Sequence, residues 1–239
     1  AIWLFIFSLP TFLWLDKDNR KKKFNASLIK NSFNQLSNTF TDIKKIKNTL
    51  RFLIARLFYN DALITIFVFG GIIAKTIYKF EDEKMLIFGI SLGVAAGIGA
   101  FLMGYIDDYI GPKKTIQISN IFLIIATIMV VFVNDETIFW IAGVMVGFWS
   151  GPNQSASRSL MTRFSPKNKQ NEFFGFFAFS GKITAFLGPF LLAQVTYISL
   201  KYLNLSEEIS QRAGISVVLI LIIIGSCILH FVDEKETPQ

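Results

Sequence analysis

The sequence predicts an all-α fold, a polytopic transmembrane helical bundle with six full spans and a partial one. Three observations carry that prediction. Of 239 residues, 52% are hydrophobic and only 17% are charged, against about 25% charged in an ordinary soluble domain. The apolar residues come in long blocks. About 20 residues at 1.5 Å each cross a ~30 Å hydrocarbon core. The connections between blocks then alternate between strongly and weakly basic, as they do when loops lie on opposite sides of a membrane. Only helices fit, because each span must satisfy its own backbone hydrogen bonds in lipid.

The chain opens AIWLFIFSLPTFLWL, with no Met and no charged leader. Residues 1–15 read as the end of a span in a longer polypeptide. Residues 16–49 form a basic connection with nine Lys/Arg, including Arg20-Lys21-Lys22-Lys23. Within it, Leu28, Ile29, Phe33, Leu36, Phe40, Ile43 and Ile46 fall near helical spacing. That pattern predicts an amphipathic helix lying on the membrane, its lysines drawn to anionic lipid. A net charge of +7 is thereby assigned to membrane lipids and topology, with no nucleic-acid partner. Six full spans follow, at 50–74, 85–106, 115–133, 137–160, 173–200 and 213–231, in a bundle covering 50–231. One set of connections, with the tail 232–239, holds fifteen Lys/Arg and the opposite set five. The positive-inside rule places the first set, including loop 16–49 and the C-terminus, in the cytoplasm.

The spans differ in what they carry. Those at 115–133 and 213–231 are almost uniformly apolar and are expected to face lipid. The span at 85–106 has Gly89, Gly93 and Gly97 four apart, with Gly99 and Gly104 beyond. Such spacing lets helices approach closely, as static packing or as a sliding interface. The span at 50–74 carries Arg56, Asn60 and Asp61. Arg56 lies close enough to the cytoplasmic edge to snorkel. Asp61 does not, and Lys182 lies at a similar depth on another helix running the same way. Charges in hydrocarbon face an interior or a cavity and usually have partners. Asp61 and Lys182 are therefore expected to point inward, either pairing or sharing a solute site; a purely structural ion pair is the alternative. The span at 137–160 ends in GPNQSASRSL, where Gly151-Pro152 loosens the helix and Gln154 and Arg158 share a face. Arg158 suits planar recognition of a carboxylate or phosphate, or else reaches lipid headgroups. Gly188-Pro189 marks a second break. Interrupted helices with buried charge surround the midplane sites of carriers. One Cys and one His leave no expected metal or cofactor site. No nucleophile is placed beside a base, so no enzyme is expected.

One stretch, GYIDDYIGPKK, sits between the second and third full spans. Through Gly104, Ile106, Asp108, Gly111 and Lys113 it resembles the cytoplasmic-loop signature of the major facilitator superfamily, departing from it at Tyr109 and Pro112. The resemblance implies the C-terminal half of a twelve-span carrier fold, from the end of span 6 through span 12. Its partner would be an N-terminal six-helix half of the same polypeptide. The stretches ARLFYNDALITIFVFGG and QSASRSLMTRFSPKNKQNEFFGFFAFSGKITAFLGP are similar to the branch of vacuolar amino-acid effluxers linked to autophagy and their bacterial relatives. That similarity implies a carrier for a small polar solute, with amino-acid export and proton coupling among the possibilities. It implies a cavity lined by spans 7, 8, 10 and 11, and the plasma (inner) membrane if the source is bacterial. Asn60, Asp61, Gln154, Arg158 and Lys182 are the candidate pathway residues. Gly104, Asp108, Gly111, Lys113 and Glu172 are the candidate gating loop, with Asp108 latching the N-terminal end of span 11. Two further readings stay open: a receptor or scaffold that does not transport, and a lipid-handling carrier.

Overall fold

The computed structural model describes residues 7–9, 43 and 47–234. The chain divides into two units, Ala1–Asn38 and Thr39–Gln239, and the helical bundle belongs to the second. The expected partial span and nearly all of the amphipathic stretch lie outside the described residues. Its Ile43 is described and is buried beside Phe52 and Phe164.

Among the described residues there are seven helices: α1 (Lys47–Thr76), α2 (Asp82–Ile110), α3 (Pro112–Phe132), α4 (Glu136–Phe164), α5 (Gln170–Ile183), α6 (Leu187–Lys201) and α7 (Glu207–His230). The span expected at 173–200 is thus two helices. Pro189 has no N–H to give the Ala185 carbonyl, which favours ending α5 before it. The chain stops a turn earlier, at 184–186, and restarts with Pro189 in the first turn of α6, where a missing N–H costs nothing. The opposite outcome holds at Pro152, which lies inside an unbroken α4. Counting α5 and α6 together, five spans are long and apolar enough to cross a membrane. α4 is long enough at 29 residues, but its C-terminal half is too polar to count with them.

The core lies in three layers along the helices. At one end Phe52, Tyr59, Phe164 and Phe173 pack together; in the middle Leu63, Leu123, Val218 and Ile222; at the other end Phe80, Phe88 and Phe139. α7, expected to face lipid, buries Val217, Val218, Leu221, Ile222 and Leu229 and exposes only the face with Ile220, Ile223 and Ile224. α3 likewise buries Ile116, Leu123 and Ala126 and exposes Ile121, Ile125 and Ile128. Uniform apolarity does not distinguish a lipid contact from a helix contact, because lipid tails are as apolar as leucine.

α3 and α7 are tied at both ends. Lys113 Nζ donates to the carbonyls of His230, at 2.8 Å, and Val232. At the other end the Arg212 guanidinium donates to the carbonyls of Val130 (2.7 Å) and Val133 (3.0 Å). Each cation sits at the C-terminal end of the other helix, where carbonyls lack partners and the dipole favours positive charge. Glu234 reciprocates by accepting the Lys113 backbone N–H at 2.6 Å. The turn before it needs Gly111, whose φ is 87°. Lys113, expected in a gating loop, therefore binds the end of α7.

The α2–α4 seam corrects the glycine expectation. Gly89, Gly93 and Gly97 are exposed, and a Cβ on any of them would meet nothing within 4 Å. The close contact runs along Gly143, Gly147 and Gly151 of α4, set against Phe88, Leu92 and Ala96 of α2. Gly99 completes it. A Cβ there would stand 1.9 Å from the Phe148 carbonyl oxygen. That oxygen is the acceptor Pro152 leaves unbonded, four residues on, so the proline and Gly99 are fitted to each other. Gly99→Ala is expected to destabilise the protein by about 1–3 kcal/mol. Gly97→Ala should stay within about 0.5 kcal/mol of the parent. Urea titration of the protein in detergent, followed by tryptophan fluorescence, checks both.

Candidate functional site

α1 presents different residues in different directions, because consecutive helical residues point roughly 100° apart. Tyr59 faces inward. Its hydroxyl is 2.8 Å from Ser157 Oγ of α4, which donates to Asn153 O at 2.6 Å. Asn153 Nδ2 in turn donates to Asn120 Oδ1 of α3 at 2.7 Å. This buried polar chain fixes α1, α3 and α4 to one another near their middles.

Asp61 faces the break between α5 and α6. It is 1% exposed, and its Oδ2 accepts the backbone N–H of Gly188 at 2.7 Å. A carboxylate at a helix N-terminus answers both an orphan N–H and the positive end of the dipole. Its Oδ1 is buried and accepts no hydrogen bond among the described residues. Thr65 Oγ1 donates to Asp61 O at 2.7 Å. Gly188 is pressed against both: a Cβ would lie 2.2 Å from Thr65 Oγ1 and 3.1 Å from Asp61 Oδ2.

Arg56 and Asn60 face a third way, toward α5. Arg56 was expected to snorkel. Instead its Nη1 donates to Phe177 O at 2.7 Å and Ser180 Oγ at 3.0 Å, and the guanidinium lies 3.6 Å over the Phe177 ring. Its head occupies the space a Cβ on Gly181 would need. Asn60 Nδ2 donates to Gly181 O at 3.3 Å. The end of α5 is thus held by α1 from one side and the start of α6 from the other.

The same face opens into a cavity of about 630 Å³ between α1, α4 and α5. Asn60, Gln154, Arg158 and Lys182, four of the five candidate pathway residues, line it; Asp61 does not. Gln154, Arg158 and Lys182 are exposed to it. Among the described residues no ion pair joins Asp61 to Lys182. Asp61 bonds the start of α6 and does not line the cavity, whereas Lys182, at the end of α5, does. α2 contributes no lining residue, so the cavity has three of the four expected walls. Arg56, Asn153 and Ser157 line it too. Arg56 already stood out in the sequence as a charge within a span; Asn153 and Ser157 carried no such signal.

The gating candidates lie at the end of the bundle tied by Lys113. Gly104 and Asp108 are exposed, and the Asp108 side chain makes no hydrogen bond among the described residues. The N-terminal end of α5 carries Glu172 in its first turn.

The family model described as "Vacuole effluxer Atg22 like" matches residues 1–238. The chain belongs to this Atg22-like family. It is 27% identical over 239 residues to the uncharacterized MFS-type transporter YxiO of Bacillus subtilis, covering all of this chain and 53% of that relative. It is 26% identical over 183 residues to autophagy-related protein 22 of Candida glabrata, covering 72% of this chain and 34% of that protein. With the protein of that name from Cryptococcus neoformans it shares 22% over 209 residues, covering 79% and 37%. The chain spans about half the length of the bacterial relative and about a third of the fungal ones. With its apolar helices, this Atg22-like chain is part of an integral membrane protein.

The fit of Gly188 against α1 is open to test. Gly188→Ala is expected to destabilise by about 1–3 kcal/mol. Adding Thr65→Ala should recover part of that loss by removing the atom 2.2 Å from the new Cβ. Thermal melting of the single and double variants checks the recovery; independent, additive losses would show that the two residues do not meet.

Proposed function

We propose that the chain forms the cavity-bearing half of a secondary active transporter. It moves a small polar solute by alternating access, with amino acids in the export direction as the first class to test. The observation that carries this reading is the cavity that runs from mid-span toward one end of the bundle, walled by Asn60, Gln154, Arg158 and Lys182 and set beside a broken span. Polar and charged groups within spans are costly and are kept where a solute or ion passes. The names of the relatives, an MFS-type transporter and vacuole effluxers, support the same class. In this reading an N-terminal six-helix half closes the open side of the cavity, and the end tied by Lys113 lies in the cytoplasm.

Asp61 has a separate part in the proposal. It holds the α5–α6 break from outside the cavity, so a proton on its carboxylate weakens the bond to Gly188 and loosens the helix that carries Lys182. Asp108 is the group available to latch the N-terminal end of α5 in the alternate state.

The test is solute flux into proteoliposomes made with the full-length polypeptide and radiolabelled amino acids. Flux above protein-free vesicles is expected. It should fall by at least about tenfold in Lys182→Met and in Arg158→Gln, since each removes a charge-assisted contact, with melting temperatures unchanged. Wild-type flux equal to that of empty vesicles, or lipid scrambling in its place, would sink the transport reading.

A further inference from the structure

The cavity's charge is one-sided. Arg56, Arg158 and Lys182 all line it, and among the described residues no Asp or Glu does. The acid nearest in sequence, Asp61, is spent elsewhere, buried against the Gly188 N–H at the start of α6. Arg56 is held by a carbonyl, a hydroxyl and an aromatic face, none of which neutralises its charge. Arg158 and Lys182 are exposed to the cavity without an ion pair among the described residues. Lys182 lies near mid-span, Arg56 nearer the cytoplasmic edge and Arg158 near the end of its span; cations gathered around one cavity without a counter-charge favour an anion joining them. Beyond Arg56 and Asn60, α1 adds apolar residues to the lining: Leu63, Ile64, Phe67 and Val68.

We infer that this half of the cavity takes an organic anion. Its carboxylate is held between Arg158 and Lys182, and its apolar body rests on the α1 wall. The inference rests on the transport reading for its biology, though the site can be tested by binding alone. Arg158 offers paired donors in the plane a carboxylate needs, and Lys182 adds a point charge. Asn60 and Gln154 supply neutral donors beside them. The described wall holds no acceptor charge for an ammonium group. What it reads is therefore the anionic end of the solute.

The experiment uses the full-length protein in phosphatidylcholine nanodiscs and two matched probes, 4-methylpentanoate and its neutral isostere 4-methylpentanamide. Affinities are measured by calorimetry, with and without phosphatidylglycerol in the disc. The carboxylate is expected to bind at least about tenfold more tightly than the amide, the usual scale of a charge-assisted contact. Arg158→Gln and Lys182→Gln should each remove most of that preference, lowering carboxylate affinity far more than amide affinity, and Arg158→Lys should restore part of it. Equal affinity for acid and amide would overturn the inference. So would a preference that survives both variants. Loss of carboxylate binding when phosphatidylglycerol is added would assign the site to an anionic lipid headgroup and overturn it as well. Binding with no flux in vesicles would instead remove the transport reading and leave the anion site standing.

Discussion

The hydrogen bond from the Gly188 amide to Asp61 Oδ2, 2.7 Å long, is the contact on which the rest of the site depends. The span breaks one turn before Pro189, and a break at membrane depth exposes backbone N–H groups that lipid cannot satisfy. Asp61 satisfies one of them with a full charge placed at the positive end of α6. The approach is so close that position 188 has no room for a side chain. With α6 anchored there, the end of α5 comes under α1, where Arg56 and Asn60 hold the carbonyls of Phe177 and Gly181. Lys182, the next residue, is then directed into the cavity.

That arrangement separates the charges by task. The acid works inside the protein, on the backbone of a broken helix; the cations work at the cavity wall. A negative group kept out of the cavity leaves the described wall positive, which is the basis of the proposed preference for an anion. The buried chain from Tyr59 through Ser157 and Asn153 to Asn120 keeps α1, α3 and α4 in register, so Asn60 and Gln154 stay opposite α5. The rigid seam between α2 and α4 and the reciprocal ties of Lys113 and Arg212 brace the bundle behind it.

Much of the fold and part of the site are legible in the sequence, and the limits have a common cause. Hydropathy and length give the spans within a few residues, since crossing a membrane fixes both. Residue count along a helix gives depth, which puts Asn60, Asp61 and Lys182 near the midplane. Azimuth is not legible. Asp61 bonds the start of α6 while Lys182, at the end of α5, lines the cavity, and only packing decides that. The glycines mislead for the same reason. Gly89, Gly93 and Gly97 form a visible stripe, but the stripe that packs is Gly143, Gly147, Gly151, which has the same spacing. Its identity follows from Pro152, which frees the Phe148 carbonyl for Gly99. For Lys113 the sequence supplies a topological role; its bond to the carbonyls ending α7 depends on two segments over a hundred residues apart.

The central claim is that Asp61, bonded to the start of α6, is sealed, while Lys182, at the end of α5, faces water in the cavity. Cysteine accessibility tests it most directly. In the full-length protein with Cys227 replaced by Ser, Lys182→Cys and Asp61→Cys are each treated with a charged, membrane-impermeant thiol reagent, in vesicles prepared in both orientations. The account predicts ready labelling at position 182 from at least one side and protection at position 61 from both. Labelling of position 61 as fast as position 182 would contradict it, because Asp61 would then belong to the cavity and the break would need another anchor.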